Sequence, residues 1–180
     1  MNNELTEMIL KCHHHGEFIL SSGGKDTEYY DLAPLLLDWQ GVSLVVHEIR
    51  RMFIKMGYAS KLVNYIDAYA CPELCPVPIV CGLAYDAMKK GLIVRKQAKG
   101  HGTNKLIEGN PLNGDNVLVV EDVTSTGAST MKAIRALEEA GCKVFGIVTI
   151  INRQEGCDEL LKDYNFWWLI TKAELFELEK

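Results

Sequence analysis

An excess of positive charge, a long apolar run and a second metal-binding pair to match its clustered cysteines are all missing from this 180-residue chain. Each absence removes a class of function. Lysine and arginine number 19 against 24 aspartates and glutamates, a net charge of −5 with the two signs interspersed. A nucleic-acid surface needs clustered cations to neutralise a phosphate backbone, so that role is not expected. No uninterrupted apolar run approaches the roughly 20 residues that span a bilayer, so no membrane role is expected either. The opening Met1-Asn2-Asn3-Glu4 has no basic region ahead of an apolar core, which predicts a cytoplasmic protein and not a secreted one. Six cysteines are present, and Cys71 and Cys75 lie close together with Cys81 behind them. No further Cys/His pair follows at zinc-site spacing, so they read as reduced thiols. His13-His14-His15 reads as a polar helix end, with adventitious metal chelation as the alternative.

What is present fits a folded domain with a substantial core. Leu5, Met8, Ile9 and Cys12 fall on one helical face. Phe18-Ile19-Leu20 and Glu28-Tyr29-Tyr30-Asp31-Leu32 read as two short strands across a turn, and Pro34 then breaks the chain. A helix is predicted over 42–55 and a shorter one over 60–69. Strands are expected at 77–80, 92–94, 116–120 and 144–151, with a helix after 116–120. Near-continuous apolar strands alternating with helices imply a parallel sheet covered on both faces. A short helix is expected from 158, an edge strand over 166–170 and a final helix over 171–178. The aromatic cluster Phe166-Trp167-Trp168 reads as core or dimer packing, because no basic residues interleave it to make a base-stacking platform.

One stretch carries chemistry. Val117-Leu118-Val119-Val120 runs into the adjacent carboxylates Glu121 and Asp122, then Val123-Thr124-Ser125-Thr126-Gly127-Ala128-Ser129, then a helix closed by Gly141. A strand opening through small and hydroxyl residues into a helix start builds an anion cradle from free N–H groups and the positive helix end. The carboxylates at the strand's end are placed to hold ribose hydroxyls or a magnesium ion. A second cationic patch, Arg95, Lys96, Lys99, His101 and Lys105, follows an apolar strand and includes Gly100 and Gly102.

The 117–129 stretch resembles the phosphoribosyl-pyrophosphate motif of the type I phosphoribosyltransferases. Three further segments are similar to the orotate phosphoribosyltransferase branch and occur in family order. Gly16 to Asp26 with Tyr29-Tyr30-Asp31-Leu32 resembles the amino-terminal hood. Arg95-Lys96-Gln97-Ala98-Lys99-Gly100-His101-Gly102 resembles the catalytic loop, with Leu106-Ile107-Glu108-Gly109 ending it. Asn152-Arg153-Gln154-Glu155-Gly156 resembles the motif after the last core strand. The resemblance implies one α/β domain over 1–180, a type I phosphoribosyltransferase-like parallel sheet flanked by helices with a small hood. Its parts are the hood at about 1–35, the core at about 42–165 and a carboxyl-terminal strand and helix at about 166–180.

It also implies a reaction: transfer of the phosphoribosyl group from phosphoribosyl pyrophosphate to orotate, giving orotidine monophosphate and pyrophosphate. Arg95, Lys96, Lys99, His101, Glu121, Asp122 and residues Thr124, Ser125, Thr126, Gly127, Ala128 and Ser129 are then expected to bind phosphoribosyl pyrophosphate. Lys99, His101 and Asp122 are the expected catalytic residues. Lys25, Tyr29, Tyr30, Thr126 and Arg153 are expected to bind orotate. Magnesium is expected as cofactor, bound mainly through substrate with help from Glu121 and Asp122. A homodimer with shared active sites is the expected assembly. Gln97 departs from a commonly acidic position, and Ser21 stands where some members carry lysine.

A larger departure concerns Cys81-Gly82-Leu83-Ala84-Tyr85-Asp86-Ala87, which resembles the family's pyrophosphate turn. Only Met88-Lys89-Lys90-Gly91 separates Ala87 from Leu92, whereas a parallel crossover needs roughly ten to twelve residues. The expectation is therefore a crossover shortened between Ala87 and Leu92. Two alternatives follow: a catalytically weak or inactive homologue binding a phosphoribosyl ligand or partner protein, or a transferase for another nucleobase.

Overall fold

A computed structural model describes residues 1–19, 24–97 and 105–179. Helix α1 (Asn3–Leu10) starts at Asn2, whose side chain accepts the Glu4 N–H, and buries Leu5 and Ile9. Strands β1 (His13–Ile19) and β2 (Lys25–Tyr30) pair antiparallel as a two-stranded sheet. The three histidines thus lie in a strand and not at a helix end. The expected packing of residues 5–12 along one helical face continues only to Leu10, because β1 begins at His13. Pro34 does not end structure; it occupies the first turn of the short helix α2 (Ala33–Leu36), where its missing N–H costs nothing. Asp38 then caps α3 (Trp39–Lys55), its carboxylate accepting the Gln40 and Gly41 N–H groups. Helix α4 (Ala59–Asn64) follows.

The main sheet departs from expectation at its first strand. Residues 77–80 are not a strand. The first strand is β3 (Ala68–Pro72), buried throughout, and 77–80 open helix α5 (Val77–Ala87). Met88 closes α5 in the left-handed conformation, and the Lys89 N–H donates to the Ala84 carbonyl across the turn. Strand β4 (Lys90–Val94) then pairs parallel to β3 from Ala68↔Lys90 to Pro72↔Val94. The crossover is complete, and the shortening expected between Ala87 and Leu92 does not exist: the helix sits one element earlier.

Strand β5 (Ile107–Glu108) adds an antiparallel edge on β4. Strand β6 (Asn116–Thr124) continues past the two carboxylates, and α6 (Ala128–Glu139) leads to β7 (Lys143–Asn152). The short helix α7 (Cys157–Leu160), edge strand β8 (Phe166–Thr171) and helix α8 (Lys172–Leu178) complete the described fold. Thr171 and Glu174 form a reciprocal capping box at the start of α8.

The six strands are ordered β5-β4-β3-β6-β7-β8, parallel except for β5. Alternate residues of β6 serve opposite faces. Leu118 and Val120 join the core under α3 and α5, while Val117 and Val119 join the core under α6. Burying such a side chain stabilises the fold by roughly 1.5–3 kcal/mol, so both faces hold β6 firmly in register. Trp167 packs edge-on against Phe53, with ring centroids 4.9 Å apart, and close to Phe145; the carboxyl-terminal aromatics are at least partly core.

Candidate active site

From β3 the chain goes to β4 on one side, and later returns to β6 on β3's other side. Helices α5 and α6 consequently cover opposite sheet faces, and the loops after β3 and β6 diverge. Such a switch point leaves a crevice at the carboxyl ends of the strands, where α/β sheets receive ligands. Four segments meet this end: 73–76 after β3, Arg95 and Lys96 after β4, residues 121–129 at and after β6, and Asn152 and Arg153 at the end of β7.

The β6 loop is braced from beneath. Glu121 is only 4 % exposed, and its carboxyl accepts hydrogen bonds from Thr130 Oγ1 at 3.1 Å and Ser129 Oγ at 3.4 Å. Burial, and then the neighbouring Asp122 charge, hold this carboxyl well above the usual carboxylate range. Asp122 is the more open member of the pair. Gly127 makes the turn into α6 with φ 79°, and an added Cβ would meet Leu161 and Cys157 at 3.3–3.4 Å. No side chain caps α6, so its first-turn N–H groups are available to an anion. Thr126, Ala128 and Ser129 are exposed around them, Ser125 is partly exposed, and Thr124 is buried.

Sequence reasoning missed the loop after β3. Pro72 and Pro76 frame Glu73, Leu74 and Cys75. Glu73 Oε1 accepts the Lys96 N–H at 2.8 Å and ties this loop to the one after β4. Cys75 lies against Asp122; burial and then that carboxylate push its thiol up. Pro76 and Pro78, at the cap and in the first turn of α5, were the available signal, since a proline there marks a helix start as readily as a break. Arg95 is partly buried at the mouth of β4, its guanidinium 3.5 Å from Glu108 Oε1, and Lys96 is exposed. Lys99 and His101 lie outside the described residues, as does Ser21.

On the hood side, Arg153 is 5 % exposed. Its Nη2 meets Asp26 Oδ2 at 2.5 Å and Glu155 Oε1 at 2.8 Å, and the guanidinium lies 5.9 Å from the centroid of the Tyr30 ring. Burial raises the Asp26 carboxyl, but the Arg153 contact outweighs it and holds the group below its ordinary value. Tyr30 is buried, and burial followed by the Glu28 charge pushes its phenol up to about 12. Tyr29 is 43 % exposed and near enough to feel the Asp122 charge. Lys25 is exposed. The structure thus brings Asp26, Tyr30 and Arg153 together, whereas Tyr29, on the other face of β2, lies toward Asp122.

The phosphoribosyl transferase domain family matches residues 86–176. The orotate phosphoribosyltransferase of Pyrococcus abyssi is 39% identical over 181 residues, covering 98% of this chain and 96% of the relative. That of Methanothermobacter thermautotrophicus is 36% identical, covering 90% and 86%. The chain belongs to the orotate phosphoribosyltransferase family. Among solved structures, orotate phosphoribosyltransferase from Aeropyrum pernix superposes with a TM-score of 0.79 at 28% identity, over 97% of both chains. UMP synthase of Leishmania donovani superposes with a TM-score of 0.78 at 28% identity, over 97% of this chain and 37% of that one. An adenine phosphoribosyltransferase from Rhodothermus marinus, at 18% identity and a TM-score of 0.70, shares the fold. As a family member the chain is an enzyme, and its reaction is phosphoribosyl transfer. The complete β3–α5–β4 crossover removes the structural ground for a crippled homologue.

Proposed function

We propose that the crevice at the carboxyl ends of β3 and β6 takes phosphoribosyl pyrophosphate, and that orotate enters from the hood side. The single observation carrying this reading is the buried Glu121 brace beneath an uncapped helix start, with Asp122 open beside it. The 5′-phosphate lies on residues 124–129, where N–H groups and hydroxyls converge. Asp122 meets the ribose hydroxyls, with Glu121 beneath it holding the loop in place. The reaction breaks the bond from ribose C1 to pyrophosphate and forms a bond from C1 to a ring nitrogen of orotate, which gives up its proton. Positive charge develops on the ribose and negative charge on the leaving group, so stabilisation is electrostatic and no covalent nucleophile is required.

Asp122 stabilises the ribose side. Arg95 and Lys96, with Lys99 and His101 of the neighbouring subunit, receive the leaving pyrophosphate. Tyr29 and Lys25 flank the base with Thr126, and the orotate carboxylate exchanges with Glu155 on Arg153, whose guanidinium suits a bidentate planar anion. Tyr30 supports that guanidinium from below. The donor set at Asp122, a partly open hard oxygen, fits magnesium shared with substrate, whereas Glu121 is buried, which disfavours its charged form, and suits it less. Magnesium bound there supplies charge neutralisation at the leaving pyrophosphate.

The homodimer rests on the outer surface of α3 and α5. Leu37, Trp39, Ile54 and Tyr85 are exposed there, around a hollow of about 1120 Å³. An apolar surface of this kind marks an association site. No helix among the described residues is long and apolar enough to cross a membrane, and the free cysteines suit a reducing cytoplasm.

The test compares pyrophosphate release with orotate, uracil, hypoxanthine and adenine as acceptors. Orotate is expected to exceed the others; a purine preference contradicts the assignment of the base side. Lys99→Ala is expected to lower turnover by about 10²-fold with a smaller effect on substrate affinity. Verified heterodimers of Lys99→Ala with Asp122→Ala chains are expected to regain activity; no recovery means each chain completes its own site.

A further inference from the structure

The histidines of β1 form a cluster that the phosphoribosyl chemistry does not use. His13 and His15 are two apart on a strand and therefore project from one face, with His14 on the other. Their rings lie 4.4 Å apart, and the end of α8 brings Glu179 against them. His13 Nδ1 is 2.6 Å from Glu179 Oε1. One ligand atom from each of His13, His15 and Glu179 lies within 4.8 Å of the others. The side chain of His13 is only 3 % exposed, stacked on Tyr30 at a centroid distance of 4.4 Å, and its Nε2 is buried without a hydrogen-bond partner. Burying an unpaired imidazole nitrogen is costly. Of the two ring nitrogens only Nδ1 has a protein partner among the described residues, Glu179, and Nε2 has none.

We propose that His13, His15 and Glu179 form a binding site for a divalent transition-metal ion of the zinc class. Two imidazoles and one carboxylate are the donor set of open zinc and related sites, with water completing the coordination. Nitrogen donors disfavour magnesium, which takes oxygen ligands, so this site is distinct in chemistry from the one at Asp122. The ion ties the carboxyl end of α8 to the hood strand, two segments far apart in sequence. Since β2 carries Tyr30 beneath Arg153, occupancy stiffens the base side of the crevice without touching substrate.

The experiment titrates Zn²⁺, and Co²⁺ as a spectroscopic probe, into the tag-free protein, following heat of binding, melting temperature and the visible Co²⁺ bands. The expected result is one Zn²⁺ per chain, a raised melting temperature and Co²⁺ bands of a low-coordinate nitrogen and oxygen site, all persisting in excess Mg²⁺. His15→Ala and Glu179→Gln, both at exposed or half-buried side chains, are each expected to weaken Zn²⁺ at least about tenfold. His14→Ala is the decisive control, because a loose chelate of consecutive histidines uses all three and a built site uses two. His14→Ala is expected to bind as the unaltered chain does. Equal weakening by His14→Ala, Zn²⁺ binding that survives His15→Ala, or no binding by the unaltered chain overturns the proposal.

Discussion

The two ends of the crevice use their charges in opposite ways. At the proposed phosphate end the loop is open: Thr126 and Ser129 are exposed, and the buried Glu121 holds the loop by accepting from Ser129 and Thr130. At the base end the group best suited to an anion is turned inward. Arg153 is buried and engaged by Asp26 and Glu155. On the proposed assignment the phosphate end is preorganised during folding, whereas the base end has to exchange one carboxylate for another. On that assignment, phosphoribosyl pyrophosphate is expected to bind the free protein well, and orotate to gain affinity once the site is charged with it.

The largest expected effect breaks the phosphate end. Asp122→Ala is expected to lower kcat/KM by about 10²–10³-fold, as removal of a preorganised electrostatic group does, with circular dichroism unchanged; steady-state kinetics decide it. At the base end, Arg153→Ala is expected to raise the KM for orotate by about 10–100-fold, the worth of a hydrogen bond to a charged group, while changing that for phosphoribosyl pyrophosphate little. Equal changes in both KM values would erase the distinction between the ends. Gly127→Ala is expected to cost about 1–2 kcal/mol, the penalty of a left-handed L-residue, and to weaken ribose 5-phosphate. Chemical denaturation and calorimetry measure the two effects separately.

The smallest kinetic effect is expected at Glu121→Gln, because a carboxamide fills the same place and burial disfavours the charged carboxylate there. Its signature lies in stability. Burial and the neighbouring Asp122 raise the Glu121 pKa above its ordinary value in the folded state, so the folded protein binds more protons than the unfolded one. The stability associated with this group is fully present below the unfolded pKa and is lost as pH rises through the folded pKa, at up to about 1.4 kcal/mol per pH unit. Glu121→Gln removes that loss. Its melting temperature is expected to gain on the parent from pH 4 to pH 8, and identical pH profiles would mean that Glu121 is ionised in the folded protein.

Much of the phosphate end was legible in the sequence. A β-branched strand, a hydroxyl loop and an amphipathic helix closed by Gly141 are each local signals, and β6 and α6 formed where they indicated. The β3–α5–β4 unit was not. Helix α5 packs against both α3 and the sheet, burying Ile79, Val80, Leu83 and Ala84, so its apolar residues run together and hide the helical period. Strand β3, Ala-Tyr-Ala-Cys-Pro, has little β-branching, and the opening of α5 read as the strand in its place. The hood's partial misreading has the same origin: β1 contains three histidines and a glycine and is recognisable as a strand only through its pairing with β2. The engagement of Arg153 by Asp26 spans 127 residues of sequence, and no local pattern announces it.

The most direct test of the central claim is to titrate ribose 5-phosphate into the isotope-labelled chain and follow its backbone amide resonances. The account predicts shifts concentrated at Asp122 and residues 124–130, with Lys25 to Tyr30 and Arg153 little changed until orotate and pyrophosphate are added. Shifts centred on the hood, or none in residues 124–130 at saturating ligand, would contradict it.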